Sequence, residues 1–354
     1  MKKLDSSAMR RWLAEKEPQK LEELYRQAYA CKLEHVGPKV YFRGLIEISN
    51  LCAKNCYYCG IRRDQKELPR FSMTGDEIFE AARLVHEMGY GSIVLQAGER
   101  QDDDYTAFIE AMVRKIKILT GPELGVTLCL GEQSAATYER WFRAGAHRYL
   151  LRIETSDPSL YARLHPKDHS YMARRECLRN LREIGYQVGT GVMIGLPFQS
   201  NESLMNDLLF FQEEDVDMIG MGPYIPYAGT PLSDADVPCD PAEQVRLGLV
   251  MIALARLLLQ DVNIVATTAL QTLDPSGREK GIEAGANILM PNCTPVKYKR
   301  FYQLYENKPC LEENALQCRD CLEKRIASVG GESGYDLWGD APHFRRRQRK
   351  MGLQ

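Results

Sequence analysis

VYFRGLIEISNLCAKNCYYCG, residues 40–60, decides the fold. Its first half, VYFRGLIEI, is rich in β-branched and aromatic residues and predicts a strand. Its second half places Cys52, Cys56 and Cys59 directly after that strand. A strand that ends in a loop carrying chemistry is the unit from which α/β barrels are built.

Reading outward, the unit repeats. Helical patterns are expected at 74–89, 103–119, 134–145, 171–185, 201–214, 241–259 and 276–284. They separate strands expected at 91–98, 124–131, 147–155, 186–197, 216–226, 263–270 and 286–291. Thr74 with Glu77 reads as a capping box, and Gly145 as a helix stop. The strands are mostly continuous apolar runs, as in a sheet buried on both faces. Eight strands in about 250 residues predict an α/β fold, a full (βα)8 TIM barrel. An open doubly wound sheet is the alternative, but no GxGxxG follows the first strand. The divisions expected are an N-terminal helical extension (1–39), the barrel (40–291) and a loop-rich C-terminal extension (292–354).

Lys plus Arg total 46 and Asp plus Glu 48, so no global charge points to nucleic acid or an anionic membrane. The basic stretch FRRRQRKMG (344–352) reads as a solvated terminal helix. The N-terminus lacks the apolar core of an export signal. The most apolar run, 247–259, is too short to span a bilayer and contains Arg256, so it reads as a buried helix. A cytoplasmic setting is expected. In it, eleven cysteines argue against a disulfide framework.

Three thiols on one loop admit several readings. They could be unrelated, or include a redox pair at Cys56 and Cys59. Zinc would want a fourth protein ligand nearby, and His86 is well into the next helix. A 4Fe-4S cube can take three thiolates and leave one iron open to a small molecule. Arg152 and Glu154 alternate on strand four and share a face, as an internal ion pair or as ligand contacts.

The pattern C-x3-C-x-aromatic-C, with Tyr58 as the aromatic, placed after the first strand, resembles the radical S-adenosylmethionine (SAM) superfamily. The resemblance implies that Cys52, Cys56 and Cys59 hold a 4Fe-4S cluster whose open iron chelates SAM. Reductive cleavage would then yield methionine and a 5′-deoxyadenosyl radical. By the same resemblance Gln96 and Ala97 contact the methionine amino group, and Glu154 the ribose. Arg152 meets a nearby carboxylate, Arg174 or Arg175 grips the methionine carboxylate, and Met218 reaches the adenine.

The runs VLQAGE, VTLCLGE, RYLLRIETSDP, DMIGMGPYIPYAGTPL, ATTALQT and GANILMPNCTP narrow the resemblance to the HydE-type maturases of FeFe-hydrogenase, over about residues 40–325. That family implies a thiol- or cysteine-bound iron carbonyl/cyanide precursor as substrate, an electron donor such as ferredoxin or flavodoxin, and other hydrogenase maturases as partners. Candidate substrate contacts are Arg43, Thr127, Cys129, Thr267, Thr268, Tyr302 and Tyr305. Cys310, Cys318 and Cys321 match the family's optional second iron–sulfur site, 2Fe-2S or 4Fe-4S. The alternatives are a methylornithine-synthase-like mutase and a non-catalytic iron–sulfur carrier.

Overall fold

A computed structural model describes residues 4–350 and Gly352. Eight parallel strand positions close a ring. Strand one comes in two pieces, Lys39–Phe42 and Gly44–Ser49, broken at Arg43. Strand two (Ser92–Ala97) pairs with the second piece, and strands three (Gly125–Cys129), four (Ala146–Leu150) and five (Gln187–Thr190) follow in order. Strand six (Met218–Ile219) and strand seven (Asn263–Ile264) continue the ring. Val265 bridges Ile288, and strand eight (Ile288–Leu289) pairs with Lys39–Phe42, which completes closure. Short pieces at Met193–Ile194 and Gly222–Pro223 prolong strands five and six at the top. The expected (βα)8 barrel is what the chain forms.

The local signals act as their chemistry dictates. Thr74 and Glu77 form the reciprocal capping box, and Gly145 ends its helix with φ of 117°. The helix Pro241–Leu259 is buried along most of its length. Its Arg256 is fully buried and donates to the carbonyls of Gly285 and Val262 and to Asn287 Oδ1. Strand seven is shorter than its sequence pattern suggested. The chain turns at Thr267, in extended conformation, and Thr268–Leu273 is helical.

The C-terminal segment closes the barrel floor. Its strand Glu332–Gly334 pairs in parallel with Lys39–Tyr41. Next, the Gly339 carbonyl accepts from Asn263 Nδ2 at 2.7 Å, and Asp340 Oδ1 accepts from Arg148 Nη2 at 2.5 Å. The basic terminal helix, Pro342–Lys350, is not simply solvated. Arg347 donates to Asp217 Oδ2 at 2.7 Å, Arg346 pairs with Asp261, and His343 lies between Asp215 and Asp261 at 2.8 and 3.2 Å. Buried acids of the barrel underside thus recruit the tail. Met351 of the basic stretch lies outside the described residues.

That arrangement gives a pH dependence. Burial works against the His343 charge, but Asp215 and Asp261 outweigh it and raise its pKa to about 9. A group raised above its unfolded value stabilises fully below about 6.5 and loses its effect as pH rises through 9. His343→Gln should therefore destabilise the protein at pH 6, and the difference from wild type should shrink by pH 10 in urea titrations. A gap that is constant across this range contradicts the assignment.

Candidate active site at the barrel mouth

The cysteine loop is built from both sides. The Ala53 amide donates to the Glu99 carbonyl, and the Glu99 amide reaches Cys52 Sγ at 3.3 Å. The Asn55 amide donates to His169 Nε2 at 3.2 Å, and the Tyr58 hydroxyl meets His165 Nε2 at 3.3 Å. Behind the loop, the Arg70 guanidinium donates to the carbonyls of Asn50, Ile61 and Arg62. Four buried or part-buried partners therefore fix a segment that has no regular secondary structure of its own.

Gly98 is what lets the loop approach strand two. A Cβ there would stand 2.3 Å from the Leu51 carbonyl oxygen and 2.7 Å from Cys52 Cβ. Backbone cannot yield as a flexible side chain can. Gly98→Ala should cost about 1–3 kcal/mol of stability and at least halve the iron bound per chain after reconstitution. Full iron content would contradict this.

The three thiols are free and partly buried. Burial pushes the Cys56 pKa up to about 12, and raises Cys59 well above its usual value with help from Cys56 and Cys52. Such thiols become thiolates only with a cation beside them. Among the described residues, no three His, Cys, Asp or Glu side chains are close enough to grip one ion. Three thiols on one loop that form no single-ion site suit a cluster that spreads its ligands over several irons.

A charged network adjoins the loop. Arg174 Nε donates to Glu132 Oε1 at 2.5 Å and its Nη1 to the Arg152 carbonyl at 2.8 Å. Lys54 Nζ lies 2.7 Å from Glu132 and 3.3 Å from Glu99. Burial opposes the Arg174 charge, but Glu132, Tyr161 and Tyr58 hold it protonated. Lys54, Glu99 and Glu132 escaped the sequence reading. Both acids follow a glycine at a strand end, in QAGE and CLGE, and that shared pattern was the available signal.

Below the loop lies a polar chamber. Arg152 and Glu154 face each other at 3.1 Å, in ionic contact but misaligned for a hydrogen bond. Burial raises the Glu154 pKa against the pull of Arg152 and Arg174. Thr127 Oγ1, Arg152 Nε, Glu154 Oε2 and Thr267 Oγ1 are buried without hydrogen-bond partners among the described residues. Buried polar atoms rarely stay unpaired, so a cluster of them at one barrel end is the mark of a ligand. Cys129 lies near this charged pair. Gln96 donates to the Tyr302 hydroxyl at 3.2 Å, and the Tyr305 ring lies among Thr272, Arg278, Glu47 and Arg152. Glu47 is fully buried and pairs with Lys308, which pins the loop carrying both tyrosines to strand one.

Three expected contacts fall elsewhere. Arg175 is one helical step, about 100°, from Arg174, and it points outward to Glu213 and Glu214. Arg43 lies six residues before the end of strand one, about 20 Å back along a tilted strand and so about 16 Å lower in the barrel. Its Nη1 contacts Met218 Sδ at 2.8 Å, and its Nη2 faces the Gly339 carbonyl at 3.5 Å. Met218 opens strand six in register with Gly189 and Asn263, so it fills the floor and not the adenine end. Strand alternation gave the right face for these residues but said nothing of depth. Ala97 ends strand two beside the cysteine loop, and Thr268 begins a helix at the mouth.

The tail triplet forms a second group. Cys318 and Cys321 are one turn apart on the helix Ala315–Ser328, and Cys310 precedes it with φ of 63°. The Cys310 and Cys318 thiols interact, which lowers the pKa of Cys310 and raises that of Cys318. Arg325 Nε reaches Cys321 Sγ at 3.4 Å. The donor set and its surrounding cations suit a thiolate-bound iron–sulfur cluster.

Residues 46–211 match the model of the radical SAM superfamily. The chain is 46% identical over 319 residues to the FeFe-hydrogenase maturase subunit HydE of Thermotoga maritima, covering 90% of this chain and 88% of the relative. It is 27% identical to the 3-methylornithine synthase of Methanosarcina acetivorans over 81% of the chain and 79% of that protein. The crystal structure of methylornithine synthase, PylB, superposes with a TM-score of 0.81 at 23% identity, covering 94% of this chain and 95% of that one, and supports the fold. No helix among the described residues is long and apolar enough to cross a membrane. The chain belongs to the radical SAM superfamily and, within it, to the HydE-type hydrogenase maturases.

Proposed function

We propose that Cys52, Cys56 and Cys59 hold the 4Fe-4S cluster, and that this radical SAM enzyme acts on a cysteine-bound iron carbonyl/cyanide precursor of the hydrogenase active site. The carrying observation is the juxtaposition at the barrel mouth of a three-thiol loop with a chamber of unpartnered buried polar atoms. When bound, the cluster and SAM supply a 5′-deoxyadenosyl radical by one-electron cleavage. The chain's own residues bind, orient and exclude water. Arg174, held by Glu132, presents a cation toward the SAM carboxylate. Glu154 offers its free Oε2 to the ribose hydroxyls, and Arg152 its free Nε to a substrate carboxylate. Thr127, Cys129 and Thr267 line the substrate space, and Tyr302 and Tyr305 close it.

The tail triplet would hold a second cluster. We read residues 1–39, 40–291 and 292–354 as helical extension, barrel and tail, and place the protein in the cytoplasm with ferredoxin or flavodoxin and the other maturases as partners. The test is anaerobic reconstitution, reduction and addition of SAM. Formation of 5′-deoxyadenosine, accelerated by an iron–cysteine–carbonyl complex, supports the reading. No 5′-deoxyadenosine from a protein with a full cluster removes the radical role. Cleavage that ignores the complex removes the substrate.

A further inference from the structure

Arg278 is a buried cation that meets no carboxylate among the described residues. It is 6% exposed, and among the described residues its side chain hydrogen-bonds only to Thr268 and to no Asp or Glu. The Cys310 and Cys318 thiols of the tail triplet lie within electrostatic reach of its charge. The Arg278 Nη2 donates to Thr268 Oγ1 at 2.8 Å, and its Nε has no partner among the described residues. Arg256 is also buried but its donors are filled by neutral oxygens, whereas Arg278 keeps a buried donor unfilled, so an acceptor, best an anion, belongs beside it. Lys299 repeats the situation. It is fully buried and donates to the carbonyls of Glu313 and Cys310, at 2.7 and 3.4 Å, with no carboxylate partner. Two unpaired cations thus flank the same thiols. Iron-bound thiolates would supply the missing negative charge.

We infer that Arg278 is a positioning residue that links the tail triplet to the barrel mouth through Thr268. Accepting from Arg278 fixes the Thr268 oxygen and leaves its own proton to be donated to an anionic ligand. The loop from Tyr302 to Cys310 reinforces the link, because it carries Tyr305 beside Arg278 and is anchored by Lys308 on Glu47. The tail cluster acts on substrate binding by holding this contact in place, rather than as a relay for electrons. The inference rests on the proposal that the barrel receives a cysteine-derived substrate.

The experiment uses the reconstituted full chain, L-cysteine as probe, calorimetry for affinity and iron analysis for loading. Cys310→Ser/Cys318→Ser should lose one cluster's iron and weaken L-cysteine about tenfold, the worth of one oriented charge-assisted contact. Arg278→Met should weaken the probe equally and lower tail iron, whereas Arg278→Lys should restore most of both. Combining Arg278→Met with the cysteine changes should add nothing further. If Arg278→Met does not fold, the cysteine pair reads the same coupling from the other end. Equal L-cysteine affinity in wild type and the cysteine pair overturns the inference, as do losses that multiply in the combined variant. No binding to wild type overturns the proposed substrate class and the coupling with it, and is distinguished by the absence of any reference affinity.

Discussion

Cys56→Ala should reduce 5′-deoxyadenosine formation to background, a loss of more than about a hundredfold. Changes to groups that merely orient a metal ligand already cost 10- to 100-fold, and removal of the ligand itself costs more. Cys56 is the middle thiol of a loop whose backbone is tied to His169, Glu99 and Leu164. With its partners so fixed, no neighbouring thiol can swing in to replace it. Iron content should fall by about one cluster per chain, and SAM should no longer perturb the electron paramagnetic spectrum of the reduced protein. Cys31→Ala is the control, because Cys31 is also a free thiol shielded from solvent but lies on the helix Pro18–His35, with its Sγ against the Arg256 carbonyl at 3.5 Å. It should keep cleavage within a fewfold of wild type. A Cys56→Ala protein that retains a tenth of the activity with full iron removes Cys56 from the ligand set.

What the sequence made legible, and what it hid, follows from the range of the interactions involved. Strand periodicity and helix caps are local, so the eight βα units and the Thr74 cap could be read directly. The cysteine loop was legible because its spacing sits in one continuous segment. Arg174 and Arg175 were not separable, because side-chain direction on a helix depends on how the helix docks. Arg43 and Met218 were assigned to the correct barrel interior at the wrong height, since alternation fixes face and not depth. The network of Lys54, Glu99, Glu132 and Arg174 joins four segments from residue 54 to 174, and no local pattern announces it. The tail was misread for the same reason. Arg347 finds Asp217 across 130 residues of chain, and nothing near either residue reveals the pairing.

The same long-range logic makes Asp340 the most consequential residue of the tail for stability. Its carboxylate accepts from Arg148 at 2.5 Å and Gln187 Nε2 at 2.9 Å, and lies 3.5 Å from His147. Burial opposes its charge, but Arg148 and His147 hold its pKa far below the usual carboxylate range. Arg148 is fully buried, and Arg43 adds a second cation in the same floor layer. Asp340→Asn keeps the shape and removes the carboxylate that faces both cations. Removing one partner of a buried pair costs about 3–5 kcal/mol, because the other is left uncompensated. The sign with pH is fixed by the depressed pKa. The contribution is present above the unfolded carboxyl value of 3.8 and fades as pH falls below it, so the gap between wild type and variant should be full at pH 7 and narrow in acid. Arg148→Met in the Asp340→Asn background should recover part of the loss, since one of the two cations left unpaired is then gone. The expected readout is a lower urea midpoint with faster proteolysis of the 332–350 segment, as the floor strand loses its anchor. A variant within about 1 kcal/mol of wild type would mean that the tail merely covers the floor and does not hold it.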